Sequence, residues 1–197
     1  MKLLITLLIL ASVFFAACQT STENQLTDTN IKDTVLSSIP AVAATVSFRA
    51  GYGDYDFTVK GTLLGDSSEI FVQHKGTDYN GSDFGLKLPG KLSGALCADV
   101  NENFKPELYI WTRTPKYKNG HLIGFEFASK KTDIQLPELP AKYAEGYNGR
   151  DTFYIKQDHL IRSFPVYEIG AGAAVETGKI RSLWYSLNTE GKLILIN

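Results

Sequence analysis

Residues 113–118 read Arg113, Thr114, Pro115, Lys116, Tyr117 and Lys118. The chemistry available to this group is recognition. Guanidinium and ammonium groups make charge-assisted hydrogen bonds to carboxylates. A tyrosine beside them adds apolar contact and a polar tip. Arg and Tyr on a loop held by a rigid sheet are a common way to build a contact hot spot.

A second group is Asp99, Asn101 and Asn103. Oxygen side chains at alternate positions of a turn can ring a calcium ion, and the stretch resembles the acidic turn of integrin-like calcium repeats. Phe104 stands where those repeats use glycine, and only Asp99 of the trio is charged. The competing reading is an Asx turn, in which Asp and Asn bond their own backbone. No metal site is assigned. His74, His121 and His159 fall on separate strands with no partner at metal-ligand spacing, and read as surface or core histidines. Cys97 lies in an apolar strand and reads as a small buried hydrophobe. The chain has no Gly-x-Ser-x-Gly elbow, phosphate loop or dinucleotide fingerprint, so nothing argues for an enzyme or a cofactor.

The elements that must position these groups are strands. Residues 95–98 are apolar, 99–106 form a polar turn ending at Pro106, and 108–111 are aromatic and β-branched, which together signal a hairpin. That hairpin delivers residues 113–118 as one unit. Residues 54–63 alternate, placing Tyr55, Phe57 and Val59 on one face. Further strands are expected at 45–49, 69–74, 84–88, 121–128, 152–156 and 159–164. A closing hairpin spans 180–187 and 192–196, turning over Asn188 to Gly191. Residues 137–150 read as a long loop, and 170–174 as a flexible connector. About 8–10 strands at short spacing, with no long helical period, predict an all-β fold: an antiparallel sandwich or partly closed barrel.

Composition bounds the rest. The chain has 197 residues, 20 Lys and Arg against 21 Asp and Glu, and two cysteines. That length allows one domain with a real core. The charge balance and the lack of a basic stripe argue against nucleic acid. Residues 1–17 read as a signal peptide: Lys2, an apolar run, then Phe15, Ala16 and Ala17 before Cys18. Small residues before a cysteine look like the bacterial lipoprotein signal, in which Cys18 becomes the lipidated first residue. An ordinary signal peptide is the alternative, and the apolar run is short of the ~20 residues of a membrane span. Residues 18–42 then form a flexible, lipidated tether, and 43–197 the folded domain. The protein is expected in the bacterial cell envelope, lipid-anchored, facing the periplasm or the cell surface.

Several segments together resemble a known family. They are Ala98 to Val100 with Pro106 to Ile110, Gly146 to Phe153, Leu160 to Tyr167, and Thr177 to Arg181 with Tyr185. In this order they resemble the periplasmic inhibitors of invertebrate-type (I-type) lysozyme, PliI-like, in a lipoprotein form. The resemblance implies a β-sandwich, pairing as a homodimer in many members, and no catalysis. It also implies lysozyme as the protein partner, blocked by a loop that enters its active-site cleft and bonds the catalytic carboxylates. Tyr117 falls on the Tyr of the family's inhibitory loop, while Arg113 and Thr114 stand where the family has Ser and Gly. Relatives also carry an acidic and an amide residue in the region of Ala171 to Ala174. Lysozymes cut between two carboxylates, so a guanidinium or ammonium in that cleft makes stronger bonds than a serine. The alternative, outside this resemblance, is a calcium- or glycan-binding envelope module with no lysozyme target.

Overall fold

The computed structural model describes residues 43–76, 78–114 and 120–196. The signal peptide, the tether and Cys18 lie outside the described residues. So do Pro115, Lys116, Tyr117 and Lys118.

The central hairpin forms as its sequence predicts. Strand β5 runs Lys91–Ala98 and β6 runs Glu107–Arg113, with the 99–106 turn between them. Before it come β1 (Thr45–Tyr52), β2 (Tyr55–Leu64), β3 (Ser67–Lys75) and β4 (Phe84–Pro89); after it come β7 (Gly120–Phe127) and β8 (Lys131–Gln135). The C-terminal elements are a one-turn helix α1 (Ala141–Ala144), β9 (Thr152–Lys156), β10 (His159–Gly170), β11 (Ala173–Leu187) and β12 (Leu193–Leu195).

These strands make three antiparallel four-stranded sheets, ordered β1-β2-β3-β4, β5-β6-β7-β8 and β12-β11-β10-β9. None closes into a barrel. The fold is therefore all-β and sandwich-like.

The middle sheet contributes to two cores. Leu108, Ile110, Phe125 and Phe127 pack with Phe57, Val59, Ile70 and Val72 of the first sheet. Tyr109, Trp111, Leu122 and Ile134 pack with Phe153, Leu160, Phe164, Leu183 and Tyr185 of the third. Successive side chains of a strand point to opposite faces, so a strand covered on both sides must be apolar at nearly every position. That is why β6 is buried from Glu107 to Thr112.

Two glycines let the aromatics of β6 lie flat. Gly94 pairs across the strands with Trp111, past a bulge at Ser93, and Gly124 pairs with Tyr109. A Cβ on Gly94 would sit 2.0 Å from Trp111 Cζ2, and one on Gly124 would sit 2.9 Å from Tyr109. Each ring thus covers a bare stretch of neighbouring backbone.

Two sequence expectations are corrected. Residues 170–174 are not a flexible connector. They hold the tight turn of the longest hairpin, which Ala171 and Gly172 close with φ of 47° and 84°. The long loop at 137–150 contains α1, and a bridge pairs Tyr147 with Val166. Strand β8 was not expected from the sequence, because residues 131–135 are polar except Ile134, the one position facing the core.

Candidate functional site

Strand β6 ends at Arg113 and β7 begins at Gly120, with the 114–119 loop between them in sequence. Both ends of this loop are fastened to one residue, Asp151. At the outgoing end, Arg113 donates from Nε and Nη2 to the Asp151 carbonyl, at 3.1 and 2.9 Å. Its Nη2 also reaches Thr152 Oγ1 at 3.1 Å. At the returning end, the Gly120 amide donates to Asp151 Oδ2 at 2.9 Å.

Asp151 is itself fully buried. A buried carboxylate needs a charged partner and hydrogen bonds. Arg162 supplies the first, with Nε donating to Oδ1 at 2.5 Å. The Tyr147 hydroxyl donates to Oδ2 at 2.5 Å, and Arg162 Nη2 donates to the Tyr147 oxygen at 2.8 Å. Arg162 is also nearly buried, stacked over the rings of Tyr147 and Phe164. Burial works to lower its pKa, but the Asp151 carboxylate outweighs that and holds it above its ordinary value. The Tyr147 hydroxyl is pushed up by burial and by the same carboxylate, so it stays protonated and donates.

Local backbone geometry makes this possible. Gly146, Gly149 and Arg150 have φ of 71°, 81° and 66°, turning the chain so that Asp151 points inward. At Gly146 a Cβ would meet the Tyr167 carbonyl at 2.7 Å. Only glycine combines that φ with that closeness.

Arg113 is therefore the last residue of β6 and part of the brace. Its guanidinium is engaged by Asp151 and Thr152. Tyr147, Asp151, Thr152 and Arg162 lie in the segments that resemble the inhibitor family, while Arg113 and Gly120 do not; the joint role of these residues was not read from the sequence. One signal was available. Arg162 interrupts the apolar run from Leu160 to Phe164, and an arginine on a buried strand requires a paired acid.

The Asp99 turn is closed by its own side chains. Asp99 Oδ1 and Oδ2 accept from the amides of Asn103 and Phe104, each at 2.9 Å. Asn103 Oδ1 accepts from the Lys105 amide at 2.8 Å, as in an Asx turn. The side-chain amides of Asn101 and Asn103 donate to Glu126. Among the described residues, no group of three or more His, Cys, Asp or Glu is arranged to hold a metal ion.

The histidines are apart. His74 lies against the rings of Tyr79 and Phe127, His159 against Trp184, and His121 on the β7 surface. Burial, and then Glu107, push the Cys97 thiol up to about 12, which keeps it protonated and unreactive at neutral pH. No helix among the described residues is long and apolar enough to cross a membrane. Compared with known families, curated proteins and solved structures, the chain shows no significant match.

Proposed function

We propose that this chain is an envelope-anchored lysozyme inhibitor that presents the loop after Arg113 to the active-site cleft of its target. The observation that carries the reading is the Asp151 brace. A buried carboxylate and its carbonyl hold both ends of one short loop, on a sheet that is packed on both faces. Fixing a loop before it binds lowers the ordering cost of association. The loop so held is the one that carries Lys116, Tyr117 and Lys118, whose chemistry suits a cleft with two carboxylates. The resemblance of the surrounding segments to lysozyme inhibitors supports the same assignment. The calcium-binding alternative is weakened, because both Asp99 oxygens already accept backbone amides.

The test is inhibition and affinity against lysozymes of the different types, for the wild type and the variants Lys116→Ala and Tyr117→Ala, with folding checked by circular dichroism. Each variant is expected to bind about 10- to 150-fold more weakly, the equivalent of ~1.5–3 kcal/mol for a hydrogen bond to a charged group. Added salt should weaken the wild type more than Lys116→Ala, because screening acts on the charge pair. A lysozyme that binds both folded variants as tightly as the wild type would move the contact elsewhere. No binding to any lysozyme type would sink the proposal.

The anchor is tested separately. Cys18→Ala is expected to move the protein from the membrane fraction to the soluble fraction, since lipid supplies the membrane affinity. Retention of the variant in membranes would refute lipidation at Cys18.

A further inference from the structure

At the end of β6 far from the Asp151 brace, three carboxylates converge without a cation. Glu107 pairs across the strands with Glu126 on β7 and with Ala98 on β5, next to Asp99. Glu107 is fully buried. Its Oε2 accepts from the Val100 amide at 2.7 Å, while its Oε1 has no hydrogen-bond partner. Among the described residues, none of the three acids forms an ion pair; the nearby Lys105 pairs with Asp78 instead. The other titratable groups on neighbouring positions are Cys97 of β5 and Tyr109 of β6, both held protonated by burial and then by Glu107. The charged side chains that act on the Glu107 carboxyl are Asp99 and Glu126, and both favour its neutral form.

All three acids close the same turn. Asp99 holds the amides of Asn103 and Phe104, Glu107 holds that of Val100, and Glu126 holds the side chains of Asn101 and Asn103. A charged Glu107 here would be desolvated and repelled from two sides. A proton on Oε1 removes both penalties.

We propose that Glu107 is a proton-operated latch: its neutral carboxyl closes the 99–106 turn onto the middle sheet, and loss of the proton loosens that turn. The energetics agree in direction. Burial outweighs the Val100 amide, which favours the charged form, and with Asp99 and Glu126 raises Glu107 from 4.5 to about 8. The folded chain thus keeps a proton that the unfolded chain gives up near 4.5. Stability from this group is full below the unfolded value and is lost as pH rises through the folded value. Mildly alkaline conditions open the latch, and neutral or acidic conditions close it.

The experiment is denaturant unfolding of the wild type and Glu107→Gln from pH 5 to pH 9. Between pH 5 and pH 8 the unfolding constant of the wild type should rise relative to the variant by about tenfold per pH unit, the signature of one retained proton. Parallel pH profiles for the two proteins would overturn the proposal. A second measurement needs no variant: a carbon-13 titration of the glutamate carboxyls in the wild type. One glutamate titrating above pH 7, with the Val100 and Phe104 amide signals moving at the same midpoint, supports the latch. All glutamates titrating below pH 6 would refute it.

Discussion

Replacing Asp151 by alanine should destabilise the domain by about 3–5 kcal/mol, the usual effect of removing one partner from a buried ion pair. The loss is large because Arg162 is left behind, only 4% exposed, with no carboxylate to balance its charge. The Gly120 amide and the Tyr147 hydroxyl lose their acceptor in the same step. Asp151→Asn keeps some acceptor capacity and should fall between the wild type and Asp151→Ala. Removing both charges, as Asp151→Leu with Arg162→Leu, should cost less than the two single changes added together, because no unpaired ion remains. Guanidinium unfolding at neutral pH checks all of these. An Asp151→Ala protein within about 1 kcal/mol of the wild type would mean that Arg162 finds water or another acid. Asp151→Asn also bears on function. If the brace preorganises the loop, this variant should lose lysozyme affinity even where circular dichroism shows a folded domain.

Trp111→Ala is expected to cost about 3–5 kcal/mol, and Gly94→Ala about 1–3 kcal/mol, for opposite reasons at one place in the sheet. Trp111 is buried, 5.7 Å from the Phe153 ring between centroids, at the join of the middle and C-terminal sheets. Its removal leaves a cavity that neighbouring strands cannot collapse to fill. Gly94→Ala does the reverse, forcing a methyl group to within 2.0–2.5 Å of three atoms of the indole unless the ring moves. With the indole gone, the methyl has room. The double variant should therefore be more stable than additivity predicts, a coupling that a double-mutant cycle reads directly. Gly94→Ala unfolding at the wild-type midpoint would show that Trp111 does not lie over Gly94.

Much of this architecture follows from local sequence. The alternation at residues 54–63 puts Phe57 and Val59 in the core because a half-buried strand has period two. The Asp99 turn closes on its own side chains because Asp and Asn can bond amides only a few residues away. The hairpin that carries residues 113–118 was legible for the same reason: its strands and its turn are contiguous. The apolar run of β6 marked it as buried, but not that its two faces enter different cores, since that depends on two sheets distant in sequence.

Long-range placement decided the rest. Arg113 looks like a contact residue beside Lys116 and Tyr117; only the arrival of Asp151, 38 residues later, turns it into a brace. The small residues at 170–174 suit either a loose connector or a tight turn, and the pairing of Ile169 with Ala174 and of Gly170 with Ala173 selects the turn. Nothing local singles out Glu107; β7 brings Glu126 opposite it and the fold buries it. Sequence alone determined most of the extended segments, the 99–106 and 188–191 turns and which residues carry charge. Tertiary structure determined which charges lose their water, and it is the loss of water that makes Asp151 a clamp and Glu107 a proton site.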